Sequence, residues 1–235
     1  MPMGQIVSQV GQIVSQIDSY VNYLCRENPS IVSIIGCGGK TSLVQLLASR
    51  LPALCPEAGV FAGSTVHTPM ITNVQTGMDF PYTQTDLNAA LTRNGGRGIA
   101  VLECDGSRGL PLKGWASYEP VIPAETTLTI GILPVRTLGM AADAAFIHRL
   151  PLFLEQSGAK EGAKIEPEHL ARLISHPDGM FAKAVGKRLL FFNQIENVDD
   201  FDRAFRISVF LTESFRLSVC AIIAGSVHQN TFRFL

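Results

Sequence analysis

The sequence has no apolar run long enough to cross a bilayer. Its longest such stretches lie near Ile31–Ile35, Gly98–Leu102, Leu189–Phe192 and Cys220–Ala224, far short of the ~20 residues that a spanning helix requires. Charge is scarce as well: charged residues make up 17% of the chain and the net charge is −1. That excludes the strong basic field of a typical nucleic-acid binder, while a hydrophobic content of 46% excludes a disordered chain. Neither nucleic acid nor membrane is therefore expected as a partner. The start, Met1-Pro2-Met3-Gly4-Gln5, lacks the basic stretch followed by an apolar run of a signal peptide. The five cysteines are odd in number and contain no Cys-x-x-Cys pair, so neither a zinc framework nor a redox dithiol is indicated. A cytoplasmic protein with reduced thiols is expected. His67, His148, His169, His176 and His228 show no His-x-x-x-His spacing, which leaves a protein-built zinc site without support. No linker rich in Pro, Gly or Ser divides the 235 residues, a length that one large domain accommodates.

What is present begins with an apparent seven-residue repeat, Gly4–Val10 and Gly11–Ile17, whose apolar positions continue to Leu24 on one helical face. The repeat is short for a coiled coil and contains Gly4 and Gly11, so an amphipathic helix over residues 1–29 is expected, packed on the sheet or on a partner subunit. Residues 30–235 then alternate strand and helix signals. Strands are expected at Ile31–Ile35, Gly59–Thr65, Gly98–Glu103, Thr127–Leu133, Arg188–Asn193 and Leu217–Gly225. Helices are expected at Thr41–Leu51, Asp86–Arg93, Ala141–Gln156, Glu166–Ser175 and Asp199–Phe215. This rhythm predicts an α/β fold, a mostly parallel sheet with helices on both faces in three layers.

Between the first strand and the first helix stands Gly36-Cys37-Gly38-Gly39-Lys40-Thr41-Ser42. Glycines let successive backbone N–H groups converge on phosphate oxygens, and the following helix adds its own free N–H groups and positive dipole end. Lys40 supplies a point charge for the β/γ phosphates and the Thr41 hydroxyl a ligand for Mg²⁺. Ile34 occupies the place of the first glycine of the longer P-loop pattern, so the segment matches the shorter G-x-x-G-K-[ST] form seen in peptide-ligase-like enzymes of cell-wall synthesis. A P-loop NTPase-like domain binding ATP or GTP with Mg²⁺ is expected.

A second site is indicated where Gly98-Ile-Ala-Val-Leu ends in Glu103-Cys104-Asp105. Period-two alternation sends both carboxylates to one side, at the strand end where open α/β sheets bind ligands. Acids placed there can hold Mg²⁺ or orient an attacking group, so Thr41, Glu103 and Asp105 are the expected metal ligands. Arg108 and Lys113 follow closely and suit an anionic substrate or a γ-phosphate, or else form a solvated basic loop. Lys40, Glu103, Asp105 and Arg108 form the expected catalytic set. Ser64–Pro69 either supplies a switch-like threonine or a substrate contact, or is a plain turn capped by Ser/Thr side chains. His148-Arg149 falls in an expected helix and reads either as a core-satisfied histidine or as a substrate-contacting pair, Trp115 is expected to anchor its loop, and Cys37 with Cys104 reads either as small-residue packing or as a thiol pair.

The segments Gly36–Thr41, Glu103-Cys-Asp-Gly-Ser-Arg-Gly-Leu-Pro-Leu-Lys113 and Tyr118-Glu-Pro-Val-Ile-Pro123 resemble the YqeC family, accessory proteins of selenium-dependent molybdenum hydroxylases. The similarity continues through His148-Arg149, His176–Gly179 and Phe192-Asn193-Gln194 and spans roughly residues 31–225. The resemblance implies a P-loop protein in maturation of a selenium-containing molybdenum cofactor site, with a selenium species or anionic cofactor precursor as substrate and a molybdenum hydroxylase as client. Cys37 and Cys104 depart from the small residues expected there. Asn193-Gln194-Ile195-Glu196 stands where the family resembles the guanine-reading Asn-Lys-x-Asp, so Asn193 and Glu196 become candidate base contacts with weakened guanine selectivity. Three functions are compatible with these residues: a Mg-dependent NTPase or nucleotide-dependent transferase, a nucleotide-gated cofactor chaperone with little intrinsic turnover, and an ATP-dependent ligase or kinase acting on a small carboxylate.

Overall fold

A computed structural model describes residues 30–66 and 68–235. The amphipathic helix expected over 1–29, and His67, lie outside the described residues. Strand β1 (Ser30–Gly36) leads through the glycine loop into helix α1 (Lys40–Leu54). Then come β2 (Gly59–Ser64), β3 (Met70–Asn73), β4 (Asp79–Pro81), α2 (Gln84–Gly96) and β5 (Gly98–Glu103). The second half comprises β6 (Leu112–Lys113), β7 (Leu128–Pro134), β8 (Ile147–His148), α3 (Leu150–Ser157), α4 (Pro167–Ser175), β9 (Lys187–Asn193), α5 (Val198–Glu213), β10 (Ala221–Ser226) and β11 (Thr231–Phe234).

Nine strands form one sheet in the order β11-β10-β9-β7-β1-β5-β2-β3-β4. The six from β10 to β2 run parallel, joined by crossovers that are helical except between β5 and β7, and β3, β4 and β11 add antiparallel edges. Near-continuous burial along β5 and β7, with Thr129 as a polar residue within β7, reflects cover on both faces. Alternation along β1 divides the core. Val32 and Ile34 meet Leu43, Val44, Leu47 and Leu51 of α1 on one face. Ile31 and Ile35 belong to the apolar layer of the other face, with Leu87 of α2, Phe153 of α3, Leu170 of α4 and Ile207 of α5. Each such leucine contributes about 1.5–3 kcal/mol relative to exposure, and the result is the expected three-layer α/β architecture.

Helix starts follow local chemistry. Thr83 Oγ1 accepts from Asp86 N at 3.0 Å to begin α2, and Asn197 Oδ1 accepts from Asp200 N at 2.9 Å to begin α5.

Three expectations need correction. Strands β3, β4 and β11 were not anticipated, being short edge additions closed by turns at Gly77 (φ 69°) and Asn230 (φ 54°). The helix expected over Ala141–Gln156 is confined to Leu150–Ser157. Residues before it form loops, with Asp143 Oδ1 accepting from Ala145 N at 2.7 Å, and Arg149 enters α3 from a left-handed conformation (φ 56°). His148 therefore belongs to a two-residue strand beside β6, not to a helix. Finally, Cys37 and Cys104 are free and buried, whereas Cys55 is disulfide-bonded, so the thiols are not uniformly reduced. Among the described residues no helix is long and apolar enough to cross a membrane.

Candidate functional site

The central strand β1 carries the site at its carboxyl end, flanked by β5 and β7. Gly36 and Gly38 have φ of 105° and 72°. A Cβ on Gly36 would lie 2.1 Å from Ile132 O, and one on Gly38 would lie 2.4 Å from Pro134 Cγ. The loop can follow this path only without side chains at those positions. Gly39 is the N-cap of α1 and offers no capping side chain, so the first amides of α1 have no partner from that residue.

Lys40 is buried, and its Nζ folds back to donate to Gly36 O at 2.8 Å. Glu103 Oε1 and Asp105 Oδ1 each lie 3.6 Å from that ammonium. Burial opposes the charge, but the carboxylates of Asp105 and Glu103 outweigh it and hold the Lys40 pKa above the usual lysine value. Pairing of β1 with β5 aligns Ile34 with Glu103 and brings both predicted acids to the lysine. Thr41 Oγ1 donates to Glu103 Oε2 at 2.7 Å. This half-exposed carboxylate beside a hydroxyl at a helix start fits a hard, oxygen-preferring cation such as Mg²⁺.

Asp105 does not fit that role. It is fully buried, and its two oxygens accept from Gly36 N (both at 3.1 Å), Trp115 Nε1 (3.0 Å) and Lys113 Nζ (3.3 Å). The carboxylate thus fastens the base of the glycine loop, and its oxygens are committed to protein donors. Lys113, expected near an anionic substrate, is likewise fully buried. Its ammonium also donates to Gly106 O at 2.8 Å and Glu119 Oε2 at 2.6 Å. Glu119 in turn accepts from Arg149 Nη1 at 2.6 Å, while Arg149 Nη2 reaches Tyr118 OH at 2.9 Å. Burial raises the Glu119 pKa, but hydrogen bonds from Arg149 and Lys113 prevail and set it below the usual carboxylate value. The charges run unbroken from the loop to the surface.

Residues expected to contact the base lie on the opposite side. Asn193 Nδ2 donates to Gly38 O at 2.7 Å and its Oδ1 accepts from Val227 N at 3.0 Å. The amide is engaged in tying the glycine loop to the end of β10. Glu196 accepts from Arg136 Nη2 at 2.9 Å, and Arg136 also pairs with Asp200 at 2.9 Å. Asn193, Gln194, Glu196, Arg136, Ser42 and Gly39 help line a cleft of about 630 Å³ beside the glycine loop, a volume suited to a small-molecule ligand.

Other expectations resolve simply. Ser64 caps its own turn, its Oγ donating to Val66 O at 3.0 Å, whereas Thr65 Oγ1 donates across to Val121 O at 2.7 Å and ties the segment to the loop after β6. Trp115 anchors its loop as expected, with the added bond to Asp105. Cys37 and Cys104 have their thiols pushed up to about 12 by burial, which agrees with packing and not with reactive thiols. Arg108 is exposed at a left-handed position (φ 53°). The Glu119–Arg149 link and Arg136 were not foreseen. Only the position of Arg136, just past a strand neighbouring β1, could have signalled it.

The sequence model of the YqeC protein matches residues 72–151, a span that contains Glu103, Asp105, Lys113, Glu119 and Arg149 but not the glycine loop. The chain is also 26% identical over 204 residues to the uncharacterized protein YqeC of Escherichia coli (strain K12), covering 74% of this chain and 80% of that relative. The chain is thus similar to the YqeC protein over its middle third by the family model and over most of its length by this relative.

Proposed function

We propose that the protein is a Mg-dependent NTPase or nucleotide-dependent transferase acting in maturation of a selenium-dependent molybdenum hydroxylase. The observation that carries the nucleotide reading is the Lys40 ammonium, held at the mouth of a glycine loop by Gly36 O, Glu103 and Asp105, beside a cleft of about 630 Å³. The selenium and molybdenum context rests on the family resemblance alone. Thr41 and Glu103 would hold Mg²⁺, which would supply neutralisation of phosphate charge when bound. Lys40 exchanges its carbonyl partner for phosphate oxygens, and the loop amides fix the same oxygens by hydrogen bonds. Glu103 accepts a hydrogen bond from the attacking water or substrate hydroxyl and orients it. Asp105 acts as a positioning residue by fixing Gly36 N from beneath.

The test is thermal denaturation with and without Mg-ATP or Mg-GTP. A ligand at a hundred times its Kd adds ~2.7 kcal/mol, which corresponds to roughly 5–10 °C for a chain of this size. Lys40→Ala is expected to fold and to lose most of that shift. Equal shifts in wild type and variant would remove the nucleotide reading.

A further inference from the structure

The nucleotide reading occupies one side of the crevice and leaves the other unused. The cleft beside the loop involves the ends of β9 and β10, through Asn193 and Ser226, and Arg136 just past β7. On the other flank of β1 lies β5, ending at Glu103, and beyond it β2, ending at Ser64. A nucleotide lying from that cleft across the loop places its terminal phosphate toward Lys40, Thr41 and Glu103. Whatever reacts with it approaches over β5.

The chain covers that approach with a cationic turn. After Asp105, Gly106 O is held by Lys113 Nζ at 2.8 Å and Leu110 N donates to Ser107 O at 3.0 Å, which leaves Arg108 at the tip. The small parallel pair β6–β8 sets Lys113 beside His148, and Arg149 follows. Glu103 and Asp105 lie against Lys40, Asp105 also against Lys113, and Glu119 against Lys113 and Arg149. Arg108 makes no ion pair among the described residues. The surplus cation of this group is therefore its exposed member. His148 is half-buried among the same charges. Burial, then Arg149, Arg108 and Lys113, depress its pKa against the opposing pull of Glu119, so it stands as a neutral imidazole with one donor and one acceptor.

We propose that Arg108 and His148 form a receiving site for a small anionic second substrate, at the end of the glycine loop away from the nucleoside. This rests on the nucleotide reading and adds to it the charge class of the second reactant. Arg108 supplies the direct charge-assisted contact, His148 a neutral hydrogen bond, and Arg149, already engaged by Glu119 and Tyr118, supplies field.

Calorimetric titration of orthophosphate into the full chain saturated with Mg²⁺ and the non-hydrolysable ATP analogue AMP-PNP tests this. With the glycine loop filled, wild type is expected to bind orthophosphate, and Arg108→Gln to weaken that binding by about tenfold or more. Absence of orthophosphate binding by wild type, or equal binding by Arg108→Gln, overturns the site. A parallel loss of AMP-PNP affinity in Arg108→Gln also overturns it, because the arginine then serves the nucleotide. If wild type binds no AMP-PNP, the nucleotide reading is what fails. Orthophosphate is then titrated into the nucleotide-free Lys40→Ala protein with and without Arg108→Gln. Binding lost only with Arg108→Gln sustains the site, and any other pattern overturns it.

Discussion

Replacing Lys113 by methionine isolates the buried charge chain from the chemistry above it. The side chain is fully buried, and its ammonium contacts Asp105 at 3.3 Å, Gly106 O at 2.8 Å and Glu119 at 2.6 Å. Methionine keeps most of the volume and removes the charge. Asp105 then retains Gly36 N and Trp115 Nε1 with Lys40 nearby, and Glu119 retains only Arg149. Removing one partner of a buried ion pair costs about 3–5 kcal/mol, because the remaining charge stays desolvated. At roughly 2–4 °C per kcal/mol for a chain of this size, Lys113→Met should lower Tm by roughly 6–20 °C. Adding Asp105→Asn removes one orphaned charge, so the double variant should be less destabilised than the sum of the single ones, by about 1–3 kcal/mol. Urea denaturation of the four proteins measures the cycle. A loss below about 1 kcal/mol for Lys113→Met, the range of exposed pairs, together with strict additivity, would refute the reading of these groups as one buried network.

Three further outcomes follow from the geometry. The folded-state pKa of Glu119 is lowered, so its stabilisation is present above the unfolded value of about 4.3 and is lost as pH falls through the lower folded value. Glu119→Gln should flatten the acid limb of a urea-midpoint titration over that window, and an unchanged limb would count against the pairing. Base selectivity should be weak, with ATP and GTP within about tenfold, or ~1.4 kcal/mol, by calorimetry. Gln194 brings no cation, and Glu196 is shared with Arg136; a hundredfold preference for GTP contradicts this. With thiol pKa values of about 12, Cys37 and Cys104 expose roughly one thiolate in ten thousand at pH 8. Alkylation of native protein, read by mass spectrometry, should label both slowly with or without Mg-nucleotide. Fast labelling blocked by nucleotide would restore the thiol pair.

Much of this architecture was legible because its signals are local. The strand–glycine–helix junction at 30–54 needs only the apolar run, the glycines and the helical periodicity that follows. The pairing of Glu103 and Asp105 with Lys40 follows from alternation at a strand end adjacent to β1. What was not legible depends on distant partners. Asp105 reads as a solvent-facing acid until Trp115 and Lys113 close over it, and nothing in their spacing announces that enclosure. Lys113, a charged residue in a glycine-rich loop, is buried only because Glu119 and Gly106 satisfy it. Asn193 shows the same limit, since the amide suited to a base was drawn into Gly38 O and Val227 N across the sheet. Edge strands β3, β4 and β11 are too short for their own periodicity to betray them.

The placement of β1 at the middle of the sheet has a bearing on how the protein is made. Its register partners are Ile99–Glu103 on one side and Leu128–Ile132 on the other, and Gly38 awaits Asn193, which in turn is secured by Val227. A ribosome delivers Gly36–Thr41 ahead of β5 and β7, so a chain halted before those strands have emerged lacks both walls of the loop, and one halted before Asn193 lacks its lateral tie. Contacts this distant in sequence form late. A fully walled and tied glycine loop therefore reports that the strands from β1 to β10 are all in place.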